Sequence, residues 1–197
     1  MTLRRVLAAS VDRFEFWTAL LTGMVCWLLV FLRLPPPLWL YVVGHELTHA
    51  IWAIAFGVKV KAMKISRRGG HVVLNRTHFL ITLAPYFFPL YAVLWTAFFA
   101  LGNAVWNWRA WMAFYHFGLG ATYAFHATLT LHILRFRQPD LEMEGWLFSF
   151  VIIMVGNVTV LLGALPLLTQ GVPMITVLQW WTQDTVRMFG IARGLVP

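Results

Sequence analysis

The stretch YVVGHELTHAIWAIAFGV, residues 41–58, places two histidines and a glutamate inside an otherwise apolar run. Ionisable side chains within a bilayer are costly unless they are paired or bound. On a helix, His45 and His49 lie one turn apart on the same face, so two imidazole nitrogens can reach one metal ion. A bound metal would therefore offset the cost of burying this polar cluster.

The spacing H-E-x-x-H, formed by His45, Glu46 and His49, is typical of zinc hydrolases. In that arrangement the two histidines bind the ion and the glutamate takes a proton from a water at the metal. The sequence therefore predicts a Zn²⁺ cofactor, with Glu46 as the catalytic base. The alternative is a pair of histidines and a glutamate that only form hydrogen bonds within a helix bundle.

The composition indicates a membrane protein. The 197 residues are 60% hydrophobic and 11% charged, with a mean hydropathy of +0.74, whereas a soluble domain carries about 25% charged residues. We expect one membrane domain over residues 1–197. The single cysteine, Cys26, excludes an intramolecular disulfide. We expect no nucleic-acid partner, because no nucleic-acid-binding motif accompanies the net charge of +8.

Five apolar segments are long enough to cross a bilayer, which predicts an all-α polytopic fold with about five transmembrane helices. The segments are 16–32, 37–56, 79–101, 110–134 and 146–169. Residues 172–192 contain polar side chains together with Trp180 and Trp181. This pattern favours a C-terminal helix lying in the membrane interface over a sixth span.

Residues 58–74 differ from the apolar segments around them. Apolar and basic residues alternate, Gly69-Gly70 follow, and then a β-branched pair, which together predict a small membrane-associated β-hairpin with its turn at the glycines. A solvated basic loop is the alternative.

The basic residues predict the orientation. With the N-terminus in the cytoplasm, eleven of the fifteen lysines and arginines lie on that side, as the positive-inside rule requires. They are Arg4, Arg5, Arg13, Lys59, Lys61, Lys64, Arg67, Arg68, Arg76, Arg135 and Arg137. We therefore expect a multi-pass integral protein of a bacterial-type cytoplasmic membrane.

A catalytic zinc site needs a third protein ligand and leaves one position for water. The segment QPDLEMEGW, residues 138–146, lies where the second and fifth spans both have a cytoplasmic end, so Asp140 can approach the histidine pair. We favour Asp140 as the third metal ligand. The alternatives are Glu142, Glu144, His116, His126 and His132.

The segment GHELTHAIWAIAFGVKV resembles the site-2 protease family, the intramembrane zinc metalloproteases. Gly57-Val58 after the motif, the Ala84-Pro85 step and Pro139-Asp140 match features of that family, and the resemblance covers about residues 37–150. Leu141 stands where the family usually has a glycine after the aspartate. No appended domain is expected, so the chain resembles a minimal member.

The resemblance implies hydrolysis of peptide bonds in transmembrane substrates near the cytoplasmic side. The alternative is a catalytically silent relative that acts as a membrane scaffold or assembly subunit. A third hypothesis is a haem protein that uses His49 and His126, although the chain lacks a C-x-x-C-H attachment motif. The expected partners are a transmembrane protein substrate and the lipid bilayer.

Overall fold

The structure is a computed structural model that describes residues 1–10, 13–66, 69–169 and 171–192. It is mostly helical, at 78%, with one small two-stranded antiparallel sheet. The helices are α1 Thr2–Ser10, α2 Phe14–Arg33, α3 Leu38–Ala55, α4 Phe79–Leu83, α5 Leu90–Trp106, α6 Met112–Ile133, α7 Pro139–Glu144, α8 Trp146–Thr169 and α9 Met174–Ala192. The strands are β1 Val60–Ser66 and β2 Gly69–Leu74.

Two helices, α2 and α8, are long and apolar enough to cross a membrane. A third candidate is the pair formed by Phe79–Tyr86 and α5, which bends by 77°. The predicted helices around residues 37–56 and 110–134 are present as α3 and α6, but neither is among the candidate spans found in the described residues. The membrane character is therefore supported, whereas five spans are not confirmed.

The segment predicted as one helix over 79–101 is broken. Helix α4 ends at Leu83, a 3-10 turn covers Ala84–Tyr86, and α5 begins only at Leu90. Pro85 and Pro89 explain the break, because proline has no backbone N–H to continue a helical hydrogen-bond ladder. The predicted span over 79–101 therefore corresponds to two helices joined by a bend, and the break places Tyr86 in the buried interior.

The hairpin predicted over 58–74 is present, with β1 and β2 paired from Val60↔Leu74 to Ser66↔Gly69. The prediction of a turn at Gly69-Gly70 was wrong, because both glycines belong to β2 and pair with β1. The connection between the strands falls on residues 67 and 68, which lie outside the described residues. Association of the hairpin with a membrane stays a prediction.

The chain divides into two compact units, Met1–Trp17 with Asn157–Pro197, and Thr18–Gly156. In the first unit, Val6 packs with Leu165, Val172 and Val177. There the Thr2 hydroxyl donates a hydrogen bond of 2.6 Å to Asp184 of α9. Helix α9 is not a candidate span, and its predicted position in the membrane interface stays a prediction, as does the assignment of residues 1–197 to one domain.

In the second unit, glycines let helices α2 and α6 pack backbone against backbone. A Cβ added at Gly23 would lie 1.9 Å from the Phe117 carbonyl oxygen, and one at Gly120 would lie 2.0 Å from the Leu20 carbonyl oxygen. Such small residues are typical of close helix contacts in membranes. Next to this crossing, Tyr41 of α3 packs with Phe125 and Leu129 of α6, which fixes the first half of α3.

The second half of α3 packs beneath the hairpin. Ala53, Val58 and Ile81 form a buried cluster with Trp52, Val60 and Leu74 around it. This cluster joins the end of α3, both strands and the beginning of α4. The hairpin is therefore held beside the helix that carries the His-Glu-His motif.

Candidate metal centre

The two histidines of the motif face one point, as their spacing predicts. Nε2 of His45 lies 3.2 Å from Nε2 of His49, and the two rings are roughly perpendicular, at 80°. Because α3 is an unbroken helix over Leu38–Ala55, the four-residue separation alone brings both nitrogens to the same side.

Asp140 completes a three-residue cluster from a distant part of the sequence. Its Oδ2 lies 3.2 Å from Nε2 of His45 and 3.6 Å from Nε2 of His49. Asp140 is in the first turn of α7, where Pro139 begins the helix, a position that suits proline. The Gln138 side chain donates a hydrogen bond of 3.1 Å to the Ile133 carbonyl, which ties the start of α7 to the end of α6.

These distances suit a tetrahedral metal ion. With Zn–N and Zn–O bonds of about 2.0–2.2 Å, neighbouring donor atoms of a tetrahedron lie about 3.3–3.6 Å apart. The three observed separations are 3.2, 3.2 and 3.6 Å. The residues present therefore fit a metal ion with three protein ligands and one open coordination position. The identification of that metal as zinc stays a prediction.

Two of the three candidate ligands have a partner that fixes their orientation. Nδ1 of His49 donates to the Ile81 carbonyl over 2.9 Å, which leaves the Nε2 lone pair free for a metal. The Tyr86 hydroxyl donates to Oδ2 of Asp140, also over 2.9 Å. Such outer hydrogen bonds orient metal ligands and set their basicity.

The charge state of Asp140 suits a metal ligand. Burial alone would raise the pKa of this carboxyl, but the neighbouring His45 and His49 side chains outweigh burial and hold the pKa below its usual range. The side chain is ionised at neutral pH, as a carboxylate must be to bind a metal.

Glu46 lies on the next position of α3, buried to 7% exposure and outside the three-residue cluster. Strand β2 passes directly over it, and a Cβ added at Gly70 would lie only 2.5 Å from Cγ of Glu46. A residue with a side chain would have to displace the glutamate, so glycine at position 70 permits this close approach.

A cavity of about 660 Å³ opens beside the cluster. Its walls carry His45, Glu46, His49 and Asp140 together with residues of β2 and the segment after it, including Gly70, His71 and Arg76. The size is within the range of natural ligand sites, about 300–1,000 Å³. The candidate ligands and Glu46 therefore line one cavity of a size that suits a ligand.

The other candidate ligands lie elsewhere among the described residues. Glu142 is exposed and lies 4.0 Å from Arg137, and His132 packs between the rings of Phe31 and Phe136. Glu144, His116 and His126 are likewise outside the only three-residue group of this type found in the described chain. His126 is nevertheless buried near His45, at a second and much smaller cavity.

No role at the site was predicted from the sequence for Tyr86 or Gly70. The hydroxyl of Tyr86 in the apolar segment TLAPYFFPLY was the available signal, since a buried tyrosine usually finds a hydrogen-bond partner.

No protein-family model, curated protein or solved structure matches the chain.

Proposed function

We propose that this chain is an intramembrane zinc metalloprotease that hydrolyses peptide bonds of transmembrane proteins near the cytoplasmic side. The observation that carries the proposal is the convergence of His45, His49 and Asp140 beside the buried Glu46 on the wall of one large cavity. When bound there, zinc would lower the pKa of a coordinated water to about 7 and polarise a substrate carbonyl.

The residues of the chain would transfer the proton and orient the metal ligands. Glu46 accepts a proton from the attacking water on its carboxylate and later gives it to the leaving amine nitrogen. His49 is held in the required tautomer by the Ile81 carbonyl, and Asp140 is oriented by Tyr86. The reacting groups are therefore positioned before a substrate arrives, which reduces the entropic cost of the reaction.

Strand β2 is a suitable place for an extended substrate. It lines the cavity and has only one strand partner in the two-stranded sheet that the structure describes. A peptide can add to such an edge through main-chain hydrogen bonds. Strand addition would also keep the substrate unwound, so that its carbonyls are not shielded within a helix.

We further propose that α3 and α6 cross the membrane with α2, the bent α4–α5 pair and α8, giving five spans. Both helices have a suitable length, at 18 and 22 residues. The polar motif lowers the hydropathy of α3, and packing against neighbouring helices would shield it from lipid. The N-terminus would lie in the cytoplasm, as the distribution of lysine and arginine indicates.

The decisive experiment compares wild type with Glu46→Gln in liposomes that contain a panel of single-span membrane proteins tagged at both ends. We expect cleavage products with the wild type and none with Glu46→Gln, while both variants retain bound zinc. Glu142→Gln is the matched control, because Glu142 is an exposed acid outside the cavity, and it should cleave normally.

Cleavage by Glu46→Gln at the wild-type rate would refute the mechanism. Zinc binding without cleavage of any panel member by the wild type would instead favour a silent relative that serves as a scaffold.

The haem hypothesis is not favoured by the geometry, since His126 lines a cavity of only about 20 Å³. An absorption spectrum of the purified chain tests it directly.

A further inference from the structure

The three candidate ligands differ in their outer hydrogen bonds. His49 donates to the Ile81 carbonyl and Asp140 accepts from Tyr86. Nδ1 of His45, in contrast, is buried and has no hydrogen-bond partner among the described residues. When Nε2 of His45 binds a metal, Nδ1 must carry the proton, and a buried N–H without an acceptor is costly.

A small cavity lies behind His45, separate from the large one. It measures about 20 Å³ and is lined in part by Tyr41, His45, Thr48 and His126. One water needs about 10–15 Å³ and two to four polar partners. Tyr41 Oη is also buried without a hydrogen bond of acceptable geometry in the described chain, so the cavity has both the room and the chemistry for a water.

His126 is the other histidine that lines this cavity. It is 8% exposed, and the structure gives its ring no hydrogen bond to a described residue. Thr48 already donates its hydroxyl hydrogen to the Gly44 carbonyl over 2.7 Å, so its oxygen can only accept another. A water in the cavity could accept from His45 and donate to one ring nitrogen of His126 and to Thr48.

We propose that His126 is a positioning residue for the metal centre, linked to Nδ1 of His45 through one buried water. The inference rests on the proposed function, since it concerns the orientation of one of the zinc ligands proposed there. His126 takes no part in coordination: it holds the water that accepts the His45 proton and so keeps Nε2 of His45 directed at the metal.

The test measures zinc affinity of the full-length purified chain by competition with a chromophoric chelator, for wild type, His126→Leu and His126→Asn. Loss of an outer hydrogen-bond partner typically weakens metal binding by about 10–100-fold. We expect that loss in His126→Leu and substantial recovery in His126→Asn, which can still accept a hydrogen bond. His132→Leu is the matched control on the same helix, outside both cavities, and should bind zinc as the wild type does.

Two further measurements separate positioning from folding. The visible spectrum of the Co²⁺-substituted protein should shift in His126→Leu but not in His132→Leu, because it reports the ligand geometry. If His126→Leu fails to fold, Thr48→Val removes a polar group from the same cavity with little change in volume, and we expect weaker zinc binding in that variant too.

The outcomes distinguish this inference from the proposed function. If the wild type binds zinc and both His126→Leu and Thr48→Val bind it equally well, the positioning role is refuted while the protease proposal stands. If the wild type binds no zinc, the proposed function fails and this inference fails with it. An experimental structure with a dry cavity behind His45 would refute the water bridge.

Discussion

Helices α3 and α6 both carry histidines in apolar surroundings, yet within the described part of the chain only those of α3 belong to a cluster that can hold a metal. His45 and His49 differ by about 40° around the helix axis, at 100° per residue. His116, His126 and His132 are separated by about 80° and 120°, so their side chains point to different neighbours. Histidine content is therefore a weak indicator, and angular spacing decides whether the nitrogens can meet.

The second difference between the helices is the presence of a carboxylate from elsewhere in the chain. Asp140, 95 residues after His45, reaches the α3 pair, whereas no acid of the described chain completes a comparable group on α6. Two neutral imidazoles can bind a divalent ion, but the anionic third ligand reduces the cost of the charge in a buried site. A site of this kind needs both local spacing and a distant acid.

The strongest test of this comparison removes ligands from both helices. We expect His45→Ala and Asp140→Ala each to reduce bound zinc from about one ion per chain to nearly none, because two remaining protein ligands do not hold zinc firmly. The measurement is metal analysis of the purified, desalted protein.

The matched controls for ligand removal are His132→Ala and Glu142→Ala, a histidine of α6 and an acid of α7 that lie outside the cluster. Both should retain the wild-type zinc content. Zinc retained by Asp140→Ala would instead assign the third ligand to another residue and remove the basis of the comparison.

A weaker effect is expected when the partner of the distant acid is removed. Tyr86→Phe deletes the hydroxyl that donates to Oδ2 of Asp140, and we expect zinc affinity to fall by about 10–100-fold. Chelator competition measures the change.

Tyr115→Phe is the matched control for Tyr86, because the Tyr115 hydroxyl donates to the Thr96 hydroxyl and Tyr115 lines neither cavity. It should leave zinc affinity unchanged. Equal affinities for Tyr86→Phe and wild type would show that the hydrogen bond to Asp140 does not orient the carboxylate for metal binding.

The parts of the site that the sequence could predict are those set by local geometry. The facing of His45 and His49 follows from one helical turn. The approach of Asp140 was predicted from the expectation that two spans end on the same side of the membrane, and the structure places Asp140 beside both histidines. Tyr86 could not be predicted, since its contact depends on the 77° bend between α4 and α5. The lack of a hydrogen-bond partner for Nδ1 of His45 also could not be predicted, because it depends on how α3 packs against α6 and not on the neighbouring sequence.

The glycines of the hairpin show how a correct element can be predicted with a wrong detail. Gly69-Gly70 indicated a turn, but only Gly69 has the positive φ, +140°, that a side chain disfavours. Glycine is required at position 70 for a different reason: the Glu46 side chain occupies the space that a Cβ at this position would need. Composition predicted the hairpin, whereas the reason for the second glycine is a tertiary contact.

The smallest effect is expected at Gly70, where a change should alter the rate without altering metal binding. Gly70→Ala places a methyl group only 2.5 Å from Cγ of Glu46, so the glutamate side chain must move, whereas we expect His45, His49 and Asp140 to stay in place. We expect cleavage in the liposome assay to slow by about tenfold, since small displacements of a reacting group are costly, with zinc content unchanged. Val73→Ile, which enlarges an exposed side chain of the same strand, is the matched control. Loss of zinc in Gly70→Ala would mean that the hairpin also supports the metal ligands. In that case strand β2 would not act on Glu46 alone, and metal binding and proton transfer could not be separated by this substitution.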